Sequence, residues 1–427
     1  MQKNDYPHIR ETVYQTTLPN GLRVQVVPKK GFSKVYSTFA TSFGSFATAF
    51  KVNGIAQTLP FGVAHFLEHQ LFESADGVDV TSQFALLGAD CNAYTDYQET
   101  AYIAISTSRH AEVIELLLNY VQHPQFTPNS VREEQGIIEQ ERSMYLDRAS
   151  VRAQMGLLKN MYAVHPIRED IVGTKESIQA ITYADLRQAY DTFYHPSNMI
   201  LVIVGDVEVN EVIALVEANQ AKKTFLTAPI LDMTIPVEVN EVVCAFGEDK
   251  MDIIMPKAVM GIKLLPIATF GLSNFQVEVM LRMILEEHFG LSSPSYQFML
   301  DHELINTHFS FNFYLDHAVG YIYLSANTIK PQEFLAYIQK QVLLIPSHEM
   351  DSESFECLHR ATHGSLIKSL NSLETIAHNI VEYSLAGDDF FSIFDAIRDL
   401  KKQDIHRFDG AFTPLAISQF IINSSKQ

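Results

Sequence analysis

The chain has 427 residues, more than one hydrophobic core of about 250 to 300 residues usually organises, so two or more domains are expected. Its hydrophobic content of 47% is ordinary for a globular protein, and 50 acidic against 31 basic side chains give a formal net charge of −19. Such a charge repels nucleic acid and anionic membranes, and neither is expected as a partner.

In chain order, residues 1–14 mix charged and polar side chains and do not form the apolar core of a secretory signal. Residues 17–28 read as a turn at Pro19, Asn20 and Gly21 followed by Leu22, Val24 and Val26 in strand alternation. A second strand is expected near 35–42. Around His65 a helix is expected, then strands near 91–95 and 102–107. Residues 109–123 carry Ile114, Leu117, Leu118 and Val121 at helical spacing and stop before Pro124. Thr127 offers an N-cap with Pro128 at the first helical position, opening a longer helix to about Asp147. Strand returns near 198–207, with its apolar run Met199 to Val204, and helix near 210–218.

Between 222 and 240 the helical pattern lapses and Pro229 and Pro236 appear, which places a junction between a first domain, 1–225, and a second, 235–427. The second half repeats the order of the first: a strand at 259–265, a helix near 275–289, and alternating segments at 309–315 and 320–327. The weak repeat predicts two homologous domains and says nothing of chemistry. Cys91, Cys244 and Cys357 lie far apart and form no C-x-x-C pair, which fits a reducing, cytoplasmic compartment, and no segment offers roughly 18 consecutive apolar residues for a membrane span.

Residues 62–73 read Gly-Val-Ala-His-Phe-Leu-Glu-His-Gln-Leu-Phe-Glu. On a helix, His65 and His69 stand one turn apart on one face, where two imidazoles can grip one zinc ion. Glu68 lies close to that face and can accept a proton from the attacking water without binding the metal. This order is the inverted form of H-E-x-x-H. Three fixed positions coincide by chance in about one chain of this length in seventy, so the motif needs a third ligand to support it. His359 and His363 share the spacing, but Thr362 stands where the base should be, and they read as surface or packing histidines.

The helix after Thr127 supplies Glu133, Glu134, Glu139 and Glu141 as candidates. At about 100° per residue Glu134 and Glu141 fall within about 20° of each other, beside Ile137 and Ile138, whereas Glu139 points to roughly the opposite side from Glu141. Two carboxylates flanking an apolar stripe are costly to bury without a cation.

The run 62–73, the segment Glu-Gln-Gly-Ile-Ile-Glu-Gln-Glu-Arg-Ser-Met-Tyr at 134–145, the stretch 88–95 with Asn92 and Ala93, and 193–199 followed by Val204-Gly205-Asp206 resemble the pitrilysin/insulinase (inverzincin) family of zinc metallopeptidases, in its half-length bacterial YmfH-type branch. The resemblance covers nearly the whole chain. It implies an α+β fold of two homologous domains, each a mixed or mainly antiparallel sheet with helices packed on one face, the first binding zinc and the second metal-free. The two together would form one bowl, about half of a closed chamber.

Residue by residue, the resemblance makes His65, His69 and Glu141 ligands of one Zn2+ per chain, Glu68 the catalytic base and Glu134 an accessory catalytic glutamate. Asn92 and Ala93 would begin an edge strand to which an extended peptide substrate adds. Active relatives also use an Arg and a Tyr seven residues later, from a second half, on the tetrahedral intermediate. Here the matching stretch 300–308 carries Asp301 and His308, which implies a homologous partner subunit that supplies Arg and Tyr. A non-catalytic scaffold subunit would be expected to have a damaged metal motif, whereas all four metal-site positions are intact. A maturation peptidase dedicated to one ribosomally made peptide would share this chemistry.

Overall fold

The computed structural model describes residues 1–72, 80–306, 308–316 and 318–425. Glu73, the last residue of the histidine motif run, and Thr307, within the 300–308 stretch, lie outside them. By contact the chain forms two units. The first comprises Met1–Arg142, Asp170–Thr234 and Ile367–Phe391, and the second Ser143–Glu169, Ile235–Leu366 and Ser392–Gln427.

The first unit contains β1 (Gln2–Tyr6), β2 (Glu11–Thr17), β3 (Arg23–Pro28), β4 (Val35–Thr41), β5 (Ala49–Val52), β6 (Ile55–Thr58), β7 (Ala89–Thr95), β8 (Thr100–Ser106), β9 (Met199–Gly205) and β10 (Leu231–Met233). Seven of these form one sheet in the order β1-β2-β3-β9-β4-β8-β7, and β10-β5-β6 form a small second one. Only the β3–β9 pair is parallel in the large sheet, so it is mixed and mainly antiparallel. β4 and β9 are buried along their whole length, as the continuous apolar run of β9 requires of a strand covered on both faces.

Helix Val63–Leu71 and helix His110–Val121 pack against β7 and β8. Alternation along β7 shows that another helix covers the opposite face: Thr95 bonds to Glu68 of helix Val63–Leu71, while its neighbour Tyr94 bonds to His378 of helix Leu373–Ala386. That helix, drawn from late in the chain, lies across β9 and β4. Arg23 and Gln25 of β3 bond to Ser384 at its far end.

The second unit holds β11 (Phe246–Met251), β12 (Lys257–Leu264), β13 (Ser310–Leu315), β14 (Gly320–Asn327) and β15 (Ile417–Ser424), in the order β11-β15-β12-β14-β13. Here β11–β15 is parallel and the remaining pairs are antiparallel. This repeats β3-β9-β4-β8-β7 strand for strand, so the two units are homologous. The correspondence extends to the covering helix: Ala149–Met161, from the first half of the chain, lies across β15 and β12 as Leu373–Ala386 lies across β9 and β4. Gly156 and Gly261 permit the approach, because a Cβ at either would meet Phe420 or Met161 at under 2.5 Å. Among the described residues no helix is long and apolar enough to cross a membrane.

Candidate metal centre

Helix Val63–Leu71 starts from Gly62, whose φ of 87° lies in the left-handed region. A Cβ there would sit 2.3 Å from the carbonyl oxygen of Val172, so both conformation and space demand glycine at the helix entry. His65 and Glu68 are each 8% exposed, and Gln70 is fully buried. The Ser130 hydroxyl donates to Oε1 of Gln70 at 2.8 Å and ties the motif helix to helix Pro128–Leu146. Neither Gly62 nor Gln70 was singled out from sequence. The φ-permissive residue three positions before His65 was the available signal for Gly62, and Gln70 left none, because its partner Ser130 is 60 residues away.

Helix Pro128–Leu146 presents Glu134 and Glu141 to the histidines. Glu141 Oε2 lies 3.3 Å from Nε2 of His69 and 3.7 Å from Nε2 of His65. On the far side of the His69 ring, Nδ1 meets Glu134 Oε1 at 2.9 Å. Glu139 turns away, 3.5 Å from Lys175, and Glu133 is exposed. The apolar stripe is narrower than the periodicity predicts: Ile138 is fully buried, but Ile137 is 54% exposed. At about 60° to the outer side of Glu134, Ile137 falls beyond the contact strip of a helix that packs on one edge only.

Among the described residues, His65, His69 and Glu141 are the one group of metal-ligating side chains whose donor atoms all lie within 4.8 Å of one another. Donors placed tetrahedrally around an ion at about 2.0 to 2.1 Å stand roughly 3.4 Å apart, which the 3.3 and 3.7 Å separations fit. Electrostatics agree. Burial favours a neutral His69, yet the hydrogen bonds and charges of Glu134 and Glu141 outweigh burial and push its pKa up to about 10. Burial and the neighbouring His69 push His65 down to about 4, against the pull of Glu141. Glu134 and Glu141 thus bring negative charge to both edges of the His69 ring, and the donor atoms of His65, His69 and Glu141 could hold one divalent cation. Glu134 meets Nδ1 on the back of His69, which leaves Nε2 on the side of Glu141.

Glu68 stands outside this ligand group. Burial raises its carboxyl pKa, partly offset by the hydroxyl of Thr95, which donates to Oε2 at 2.6 Å. His359 and His363 form no such centre: His359 Nε2 bonds to the Ile397 carbonyl and the His363 ring packs edge-on against Phe394.

Asn92 and Ala93 lie on β7, the last strand of its sheet. The Asp96 N–H donates to the Glu99 carbonyl just beyond the Thr95–Thr100 pair, so hydrogen-bonded pairs alternate and the N–H and C=O of Cys91, Ala93 and Thr95 face the open edge. The side-chain oxygen of Asn92 accepts the outward N–H of Ala93 at 2.9 Å. In the second unit, Asp301 ends helix Pro294–Asp301 and accepts from Gln297, and His308 is exposed with its main-chain N–H on Asn306.

Residues 58–175 match the family model for insulinase (peptidase family M16), and residues 180–360 match that for the peptidase M16 inactive domain. Over 403 residues the chain is 37% identical to the uncharacterized zinc protease YmfH of Bacillus subtilis, covering 94% of each chain. The crystal structure of an M16-like peptidase from Alicyclobacillus acidocaldarius superposes with a TM-score of 0.92 at 32% identity, covering 97% of this chain and 99% of that one. The first half of the periplasmic protease PqqL from Escherichia coli shares the fold, with a TM-score of 0.71 at 17% identity, over 97% of this chain and 92% of that one. The chain therefore belongs to the M16 insulinase family of peptidases and carries two domains of its fold.

Proposed function

We propose that this chain is a zinc-dependent endopeptidase subunit acting on short or unfolded peptides, with catalysis in residues 1–225 and a metal-free homologue of that domain in 235–427. The convergence of His65, His69 and Glu141 on one point, with Glu68 beside it and outside the ligand set, carries the reading. His65, His69 and Glu141 hold one zinc ion, and Glu134 holds His69 from behind. Bound zinc would supply Lewis-acid polarisation of the scissile carbonyl and acidification of water. Glu68 takes the proton from the attacking water and passes it to the leaving amine. Its burial raises its pKa, which strengthens the carboxylate as a proton acceptor.

The open edge of β7 supports binding of the substrate as an added strand, with Asn92 and Ala93 at the pairing edge. Main-chain pairing reads little sequence, and only extended chains offer it, so stably folded proteins should resist cleavage. Asp301, a carboxylate, opposes rather than stabilises a developing oxyanion. This supports a second, homologous subunit that supplies the Arg and Tyr of active relatives.

The test is zinc content and peptide cleavage in three variants of the full chain. Glu68→Gln is expected to keep about one zinc and lose cleavage, Glu141→Gln to lose zinc, and Glu139→Gln to keep both. Equal zinc loss in Glu139→Gln and Glu141→Gln, or zinc loss in Glu68→Gln, would overturn the assignment.

A further inference from the structure

Thr95 ends β7 with its side chain on the face that meets the motif helix, and its hydroxyl lies 2.6 Å from Oε2 of Glu68. With Glu68 ionised, proton count fixes the direction of this bond. Behind Thr95, the Thr100 hydroxyl is 3.3 Å away, but Thr100 places its single proton on the Phe43 carbonyl at 2.7 Å. Thr95 thus has one proton and two acceptors, and the nearer, charged carboxylate takes it.

The pair is anchored rather than loose. Thr100 is fully buried and 7-stranded pairing sets it opposite Thr95. Tyr102, two residues on along β8, is also fully buried, and its hydroxyl shares a 2.7 Å hydrogen bond with that of Tyr194. A hydroxyl held by the strand pairing of β7 and β8 has little freedom of its own, whereas a glutamate side chain has three rotatable bonds and needs a partner to stay in one rotamer.

We propose that Thr95 is a positioning residue for Glu68: its hydroxyl holds Oε2 and so fixes the carboxylate for proton transfer. The inference rests on the reading of Glu68 as the base. The same hydroxyl serves both protonation forms. Facing the carboxylate, Thr95 donates. Once Glu68 has taken the proton from water, its O–H can donate to Thr95 Oγ1 while the Thr95 proton turns to Thr100 Oγ1, so the only proton gained is the one from water and the hydroxyls merely reorient.

The experiment uses the full chain loaded with one equivalent of zinc, a mixture of short, internally quenched, unstructured peptides, and the variants Thr95→Val, Thr95→Ala, Thr95→Ser and Glu68→Gln. Thr95→Val is expected to lose roughly 10- to 100-fold in kcat, the effect of one hydrogen bond to a charged group, with KM and zinc content unchanged. Thr95→Ser, which keeps the hydroxyl, is expected to recover most of the loss, and Thr95→Ala provides the hydroxyl-free comparison should valine pack poorly. Crystal structures of the hydroxyl-free variants should show the Glu68 carboxylate displaced or split between rotamers while His65, His69 and Glu141 stay in place, a readout that decides the matter even where turnover is slow. A Glu68 carboxylate unmoved in both variants, or wild-type kcat in both, would overturn the role of Thr95. Full activity in Glu68→Gln would instead overturn the assignment of the base.

Discussion

Substitution of Glu134 tests how the metal centre is held. Its carboxylate is 8% exposed and meets His69 Nδ1 at 2.9 Å, on the side of the ring away from Glu141. Glu134→Gln keeps an acceptor of the same shape but removes the charge, exchanging a hydrogen bond worth about 1.5 to 3 kcal/mol for one worth about 0.5 to 1.5. The difference of about 1.4 kcal/mol is roughly tenfold in zinc affinity. Glu134→Ala removes the acceptor altogether and leaves the His69 ring free to turn, so its loss should reach about 100-fold, the upper end for an outer partner of a ligating histidine. Competition with a chelator of known affinity measures both, at one fixed pH because protons compete for the same imidazole. Zinc affinity unchanged in both variants would refute the supporting role. Complete loss of zinc in Glu134→Gln, matching Glu141→Gln, would make Glu134 a ligand.

Two further predictions concern stability. Lys263 is 4% exposed and its ammonium donates to Glu238 at 2.9 Å and to the carbonyls of Met161 and Glu241, while Glu238 also accepts the N–H groups of Ala163, Val164 and His165. Lys263→Met should destabilise the second unit by about 3 to 5 kcal/mol, because it leaves Glu238 charged and without its cation, and denaturant unfolding showing a loss below about 1 kcal/mol would contradict this. Glu99, 5% exposed, has its pKa pushed from 4.5 up to about 8 by burial, the Tyr94 hydroxyl only partly offsetting it. The folded state then holds a proton that the unfolded state releases, so this contribution to stability is complete below about pH 4.5 and is lost as pH rises through about 8. At about 1.4 kcal/mol per pKa unit it is on the order of a few kcal/mol, and Glu99→Gln should flatten the fall in Tm between pH 5 and 8, whereas an unchanged slope would show that Glu99 does not titrate there.

What the sequence disclosed follows the range of each interaction. His65, Glu68 and His69 lie within one turn, and Glu134 and Glu141 are two turns apart on one helix, so helical spacing alone put these two carboxylates on one face and turned Glu139 away. The repeat was legible in the order of strands and helices. Which sheet each helix covers was not: nothing local in Ala149–Met161 or Leu373–Ala386 records that the first lies on β12 and β15 and the second on β4 and β9. The same limit hid Gln70, whose partner Ser130 is remote in sequence, and Thr95, 27 residues from Glu68. It hid the hairpin β1–β2 for another reason, since Gln2–Tyr6 is an edge strand whose exposed, charged composition carries no strand alternation.

β7 is where local pattern and long-range packing meet. Its period of two sends the side chains of Ala93 and Thr95 toward the motif helix and that of Tyr94 toward the helix on the other face, while hydrogen-bonding parity turns the main-chain groups of Ala93 and Thr95 to the open edge. In the proposed reading, the residues that offer their backbone to the substrate therefore include the one whose hydroxyl holds the base. A slip of one residue in the β7–β8 pairing would reverse both at once: Asp96 and Tyr94 would face the motif helix, and the outward edge would pass to Asn92 and Tyr94. The depth of burial of β8, where Thr100 and Tyr102 are fully enclosed, makes such a slip costly, and so ties the placement of the base to the placement of the peptide it would cleave.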